Sequence, residues 1–191
     1  MSLPEQLVAG HQRFLRQTHA GQADRYAELA EEGQEPYALV ISCCDSRVAP
    51  EAIFDAGPGE IFVLRNVANL VPPYEPDGGY HGASAAIEFA VEQLHVSAIV
   101  VLGHARCGGI QAAIEGAQGT FLSQWIRLLD GIDVPADMPV GERLAHAERK
   151  SIERSLERLL TFPFVRSRVE AGTLTLHGAH IDIASGLLEQ V

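Results

Sequence analysis

Tyr37-Ala-Leu-Val-Ile-Ser-Cys-Cys-Asp-Ser-Arg47 decides the fold, because an apolar, β-branched run gives way at once to a string of reactive side chains. A run from Tyr37 to Ser42 with no polar alternation predicts a strand covered on both faces, and such strands belong to parallel sheets. Ile61-Phe-Val-Leu64 and Ser97-Ala-Ile-Val-Val-Leu102 read the same way, and Gly172-Thr-Leu-Thr-Leu-His177 is the last strong strand candidate. Helical patterns separate them. Ala83, Ile87, Ala90 and Leu94 recur at three-to-four spacing after the Pro/Gly-rich loop Pro72 to Gly82, and shorter helices are predicted over Gly109 to Glu115 and Phe121 to Leu129. A long helix from Glu142 to Leu160 turns Leu144, Ile152, Leu156 and Leu159 inward, and Pro163 closes it. Ahead of the first strand, Pro4 to Thr18 and Ala23 to Glu32 form two amphipathic patterns, the second ended by Gly33. The alternation predicts an α/β fold: a mostly parallel β-sheet flanked by helices, with amphipathic N-terminal helices. Residues 1–191 are expected to form one domain, with 1–33 as a helical arm that packs on a partner chain.

The composition fits that fold and excludes several functions. With 191 residues, 47% hydrophobic and 20% charged, the chain can bury a full core. A net charge of −11 sets it against a polyanion, so no nucleic-acid partner is expected. Its apolar runs stop far short of the ~20 residues of a spanning helix, so neither is a membrane. Three cysteines, Cys43, Cys44 and Cys107, are an odd number that suits a reducing compartment better than a disulfide framework. Met1 to Gln12 show no basic stretch followed by an apolar core, and a cytoplasmic location is expected.

In open parallel sheets functional groups gather beyond the carboxyl ends of the strands. The first strand runs into Cys43-Cys44-Asp45-Ser46-Arg47 and the third into Gly103-His104-Ala105-Arg106-Cys107-Gly108-Gly109. Thiolate and imidazole are the preferred ligands of Zn²⁺, and a cysteine of the first segment with His104 and Cys107 would fill three tetrahedral positions and leave one open. Cys43 and Cys44 point opposite ways from the strand end, so one is a ligand and the other packs; spacing alone does not choose. Cys107 opens a helix, where free N–H groups favour the thiolate. Gly108 and Gly109 would leave the open position uncrowded. Asp45 and Arg47, two apart in an extended segment, can pair in a charge-assisted fork. Taken singly, a buried cysteine or a histidine beyond a strand is ordinarily a packing residue. The two segments together at the ends of one sheet argue for metal.

On these residues the sequence resembles the β class of carbonic anhydrases. The likeness rests on Cys43-x-Asp45-Ser46-Arg47 and Gly103-His104-x-x-Cys107-Gly108-Gly109, extends through Pro58 to Val71 and His177-Gly178, and covers the chain from about Gln34 onward. It implies one Zn²⁺ per chain held by Cys43, His104 and Cys107, an Asp45/Arg47 dyad that orients zinc-bound hydroxide, and assembly as homodimers or larger homo-oligomers. It also implies that Cys44 occupies a variable position. The sequence is similar to the plant-type branch, in which Gln34, Phe62, Val67 and Phe89 would line a narrow pocket for CO₂ and bicarbonate, partly contributed by a neighbouring subunit, with Gly108 beside it. Phe89 stands where a tyrosine is common and Val40 where the bicarbonate-inhibited branch has a tryptophan, although the accompanying Arg65 is present.

The reaction implied is reversible hydration of CO₂, a lyase activity in which zinc lowers the pKa of bound water from 15.7 toward ~7. Two alternatives stand beside it: hydrolysis of carbonyl sulfide or carbon disulfide on the same scaffold, and a non-catalytic zinc or redox module in which Asp45 permanently caps the metal. Tyr80 and His81 are offered as a proton outlet only by lying on a loop. His177 and His180, three apart on a strand, face opposite sides and read as structural.

Overall fold

Ala38–Cys43 forms β1, and all six of its residues are buried. It lies between β2 (Ile61–Asn66) and β3 (Ala98–His104), with Ser42 opposite both Arg65 and Leu102. β4 (Thr175–Ile181) continues the sheet beside β3, and β5 (Leu188–Gln190) closes it, in the order β2-β1-β3-β4-β5. The first four strands run parallel and β5 runs antiparallel to β4, which bears out a mostly parallel sheet. Because β1 and β3 are parallel neighbours, the loops leaving both emerge side by side at one edge of the sheet.

The computed structural model describes residues 2–135 and 137–191, and the chain divides into two compact units, one up to Glu35 and one from Pro36 to Val191. In the first, α1 (Glu5–Phe14) continues through a π-helical turn, Leu15–His19, before α2 (Ala23–Glu32). None of these helical residues is buried, and Phe14, His19 and Tyr26 gather into a ring cluster with His19 stacked 4.9 Å from Tyr26.

In the second unit the helices are α3 (Pro50–Ile53), α4 (Gly82–Glu88, run on by a π turn to Gln93), α5 (Gly108–Ile114), α6 (Leu122–Ile126), α7 (Val140–Leu159) and α8 (Pro163–Glu170). Among the described residues no helix is long and apolar enough to cross a membrane. Two core clusters form: one joins Leu39, Ile41, Ile99 and Val101 to Ile87, Val91, Ile152 and Phe162, and the other joins Val40 and Leu102 to Cys43, Cys107, Ile110 and Ala147.

α7 crosses β3 and β4 at unusually close range. A Cβ on Gly103 would stand 2.7 Å from Ile152 Cδ1, and one on Gly178 would stand 2.7 Å from Ile152 Cγ2 and 3.1 Å from the Val191 carbonyl oxygen. The absent side chains let the helix lie against the sheet. Gly178→Ala is therefore expected to overpack this contact at a cost of about 1–3 kcal/mol. Thermal unfolding checks it, since a domain of this size loses roughly 2–4 °C for each kcal/mol.

The structure departs from the sequence reading at the C-terminal end. Pro163 starts α8 rather than only ending the helix before it, since a proline in the first turn lacks an N–H that would be unpaired in any case. The fourth strand lies at Thr175–Ile181, about three residues beyond the expected start at Gly172. It is paired with β3 through Ile181, although its His177-Gly178-Ala179-His180 core breaks the apolar pattern.

Candidate metal centre

Cys43 ends β1, His104 ends β3, and Cys107 immediately precedes α5. Their ligand atoms all lie within 4.8 Å of one another, and all three residues are buried. The two sulfurs are 3.9 Å apart. His104 Nδ1 lies 2.9 Å from the Ala105 carbonyl oxygen; a carbonyl can only accept, so Nδ1 carries the hydrogen and Nε2 presents its lone pair. Nε2 is buried and makes no hydrogen bond of good geometry. A buried, unsatisfied ring nitrogen facing two thiols is what a thiophilic cation would complete, so the donor set fits Zn²⁺.

The backbone is shaped around the sulfurs. N–H groups of Asp45 and Ala68 approach Cys43, and those of Gly109 and Ile110 approach Cys107, each favouring the thiolate. Ala68 reaches its place because Ala68 and Asn69 adopt left-handed backbone (φ 67° and 50°), a turn that Asn66 braces by donating to the Leu70 carbonyl and accepting the Leu70 N–H. Contact with Cys107 pulls Cys43 down to about 4 against the cost of burial, and the same contact with burial pushes Cys107 up. A divalent cation between them would favour the thiolate form of both. For His104 burial disfavours the charged form, but neighbouring Cys43 and the Ala105 carbonyl outweigh it and move the ring up.

Asp45 and Arg47 form the fork expected of them. Arg47 donates Nε to Asp45 Oδ1 at 2.9 Å and Nη2 to Oδ2 at 2.6 Å, and its backbone N–H also reaches Oδ1. Asp45 Oδ2 stands 3.9 Å from His104 Nε2. The Arg47 guanidinium holds the Asp45 carboxyl well below the usual carboxylate range. Behind them Arg65 donates to the carbonyls of Cys43 and Asp45 at 2.9 and 2.7 Å, fixing the loop from which both side chains leave.

The other residues singled out from the sequence divide. Val67 packs against the start of α5: a Cβ on Gly109 would stand 2.8 Å from Val67 Cγ1 and 2.9 Å from Ala68 Cβ, so Gly109 serves close packing, while a Cβ on Gly108 would meet open space. Phe62 and Phe89 pair with ring centroids 5.8 Å apart, and Phe62 packs against the core cluster that does not contain Cys43 and Cys107. Gln34 is exposed and belongs to the N-terminal unit. Cys44, expected to pack, is exposed: β1 ends at Cys43, and Cys44 leaves the sheet with its N–H on the Asn66 carbonyl. It lines an apolar groove of about 980 Å³ with Val67, Phe121 and Trp125, beside the ligand cluster rather than over it. Tyr80 is fully exposed and His81 pairs with Asp77.

One residue absent from the sequence reading stands at the centre. Glu148 of α7, 2% exposed, accepts the Cys107 N–H at 2.9 Å. The pattern held a signal for it, since Glu148 falls four residues from both Leu144 and Ile152 on the inward stripe.

Fold and site together define an α/β protein with a two-thiol, one-imidazole donor cluster, fit for a metal ion, at the carboxyl edge of its sheet. The family model described as carbonic anhydrase matches residues 38–188. Beta carbonic anhydrase 5, chloroplastic, of Arabidopsis thaliana is 39% identical over 191 residues, covering 94% of this chain; the chain spans 62% of that curated relative's length. Among solved structures, the β-carbonic anhydrase CcaA superposes with a TM-score of 0.88 at 29% identity over 97% of this chain and 93% of its own. A tetrameric β-carbonic anhydrase of Sordaria macrospora gives 0.86 at 28% identity, with 98% and 95% covered. The chain belongs to the carbonic anhydrase family, in its β class.

Proposed function

We propose that the protein catalyses reversible hydration of CO₂ to bicarbonate and a proton, with one Zn²⁺ held by Cys43, His104 and Cys107. The observation that carries this reading is the convergence of two sulfurs and the unpartnered His104 Nε2 within 4.8 Å. When bound, zinc supplies a nucleophile at neutral pH by lowering the pKa of coordinated water to about 7.

Asp45, acceptor-only because Arg47 keeps it ionised, orients the attacking group by accepting its hydrogen bond. Arg47 holds Asp45 by both oxygens, which argues against the carboxylate swinging in to cap the metal. Gly108 leaves open space beside Cys107, and Val67 offers an apolar wall suited to an uncharged linear substrate. Phe62, Phe89 and Gln34 would contribute to the pocket of a neighbouring subunit. The partner is a second copy of this chain: Leu7 and Leu15 on the helical arm are 61% and 44% exposed, and the Sordaria relative is tetrameric. Analytical ultracentrifugation should give at least twice 20.6 kDa, and a monomer at assay concentration would refute the assembly.

Metal analysis with stopped-flow CO₂ hydration tests the function: about one zinc per chain and measurable hydration are expected. Carbonyl sulfide run in parallel decides between the two small-molecule reactions, since faster sulfide release than CO₂ hydration would transfer the site to that substrate. Two thiolates place more negative charge on the metal than imidazoles would, so the hydration rate should rise through mildly alkaline pH; a profile flat from about pH 6 upward would contradict this. Asp45 adds no limb there. Its folded pKa is depressed, so its charge and the stability of its pair with Arg47 are in place above the ordinary carboxylate range and are lost only as pH falls through the lowered value.

A further inference from the structure

We infer that Glu148 is a positioning residue of the metal centre, gripping with Arg47 the two ends of the single peptide plane that aims Cys107 at the cation. This rests on the zinc reading above. The plane is the Arg106–Cys107 unit. Its carbonyl oxygen accepts from Arg47 Nη2 at 3.3 Å, and its N–H donates to Glu148 Oε1 at 2.9 Å. In a trans peptide the carbonyl and the N–H point to opposite sides, so the two side chains hold the plane from opposite edges.

The plane needs holding. Arg106 has φ +56°, a left-handed conformation that costs a non-glycine residue about 1–3 kcal/mol and persists only when its surroundings enforce it. Return of Arg106 to negative φ would carry the Arg106–Cys107 plane with it and swing Cys107 away from Cys43 and His104. Arg47 is exposed and already committed to Asp45, whereas Glu148 is buried at 2% exposure on a helix seated closely against the sheet.

Glu148 is itself held in place. Its second oxygen lies 3.3 Å from His180 Nε2 on β4, and His180 is 3% exposed. His180 Nδ1 stands 3.6 Å from Glu189 Oε1 on β5, and Glu189 also pairs with Arg149 on α7. A buried carboxylate beside two sulfurs that must ionise opposes their charge, so electrostatic support of the thiolates does not explain its presence. Its geometric role does. The chain Cys107–Glu148–His180–Glu189 thus links the metal ligand to the sheet's last two strands.

The test is zinc affinity, read by competition with a chromophoric chelator, together with the thiolate-to-cobalt charge-transfer absorption of the Co²⁺-loaded protein. Neither needs turnover. Glu148→Ala leaves the Cys107 N–H without an acceptor and is expected to weaken zinc binding ~10–100-fold and to alter the cobalt band. Glu148→Gln keeps an acceptor oxygen at the same reach and should stay within about threefold of wild type. Glu148→Asp keeps the charge but withdraws the oxygen by one methylene, and should lose about tenfold or more. Wild-type affinity and an unchanged cobalt spectrum in the Asp variant overturn the proposal, whether or not the Ala variant folds. A purely structural role would lower the melting temperature of the metal-free protein while leaving the affinity of the folded form intact, and that result overturns it too. If the wild-type protein bound no zinc, the metal reading itself would fall; if it bound zinc and all three variants did so equally, only the role of Glu148 would.

Discussion

Cys107→Ser protein is expected to purify without zinc and to show no measurable CO₂ hydration. The centre has three protein donors, and two of them are sulfurs 3.9 Å apart. A serine oxygen at the same place stays protonated at neutral pH, so one donor is lost outright while Cys43 and His104 remain in place. Structural zinc sites with four ligands bind with roughly 10–16 kcal/mol, so one ligand carries about 2.5–4 kcal/mol, on the order of a hundredfold to a thousandfold in affinity. The fold should survive, because the substitution keeps the shape of the side chain and adds no atom to the cluster around Ile110 and Ala147. Zinc content by plasma emission and stopped-flow hydration check it together. A Cys107→Ser protein retaining a full equivalent of zinc and its rate would refute the assignment of this ligand.

The second large effect separates a catalytic centre from a metal clip. Asp45→Ala is expected to keep its zinc and to lose about 10²–10⁴ in hydration rate, the range that a positioned proton acceptor contributes. Asp45 is not needed to hold the cation, since the three donors converge without it. Removing it releases Arg47, whose two bonds to the carboxylate orient it beside His104. Zinc titration should therefore match wild type while the rate collapses. Were Asp45 instead a resident cap, the wild type would be inactive at every pH and the variant would keep its fold with no rate to lose. Measuring both proteins across pH decides between these outcomes.

The sequence displayed some parts of this molecule and hid others for physical reasons. β1 and β3 were legible because strands buried on both faces need uninterrupted apolar residues, and Ala38–Ile41 and Ile99–Leu102 have little else. Ile61–Leu64 was legible as a strand by the same run, but β2 lies at the edge of the sheet with its residues only half-buried, not covered on both faces as expected. β5 was not legible: three exposed residues, Leu188–Gln190, bury nothing and leave no pattern. α8 was hidden by Pro163, which ends one helix and starts the next. At the site, Cys43, His104 and Cys107 were readable because few other roles account for those residue types at adjacent strand ends. The resemblance chose Cys43 over Cys44, and the structure buries the first and exposes the second. Glu148 escaped because a glutamate in a charged helix reads as solvated. Its role depends on the close seating of α7 on Gly103 and Gly178, which is a property of three dimensions.

The parallel pairing of β1 with β3 has a kinetic corollary. Cys43 and Cys107 are 64 positions apart, and their meeting depends on a contact that crosses the whole of β2 and α4 in sequence. Such distant pairings form late, since the chain must close a long loop before any energy is returned. The unfolded polypeptide thus offers scattered thiols rather than a chelating cluster, and cation capture belongs to the end of refolding. Free zinc added at the start of refolding should leave the rate of strand assembly unchanged and raise only the resistance of the finished protein to denaturant.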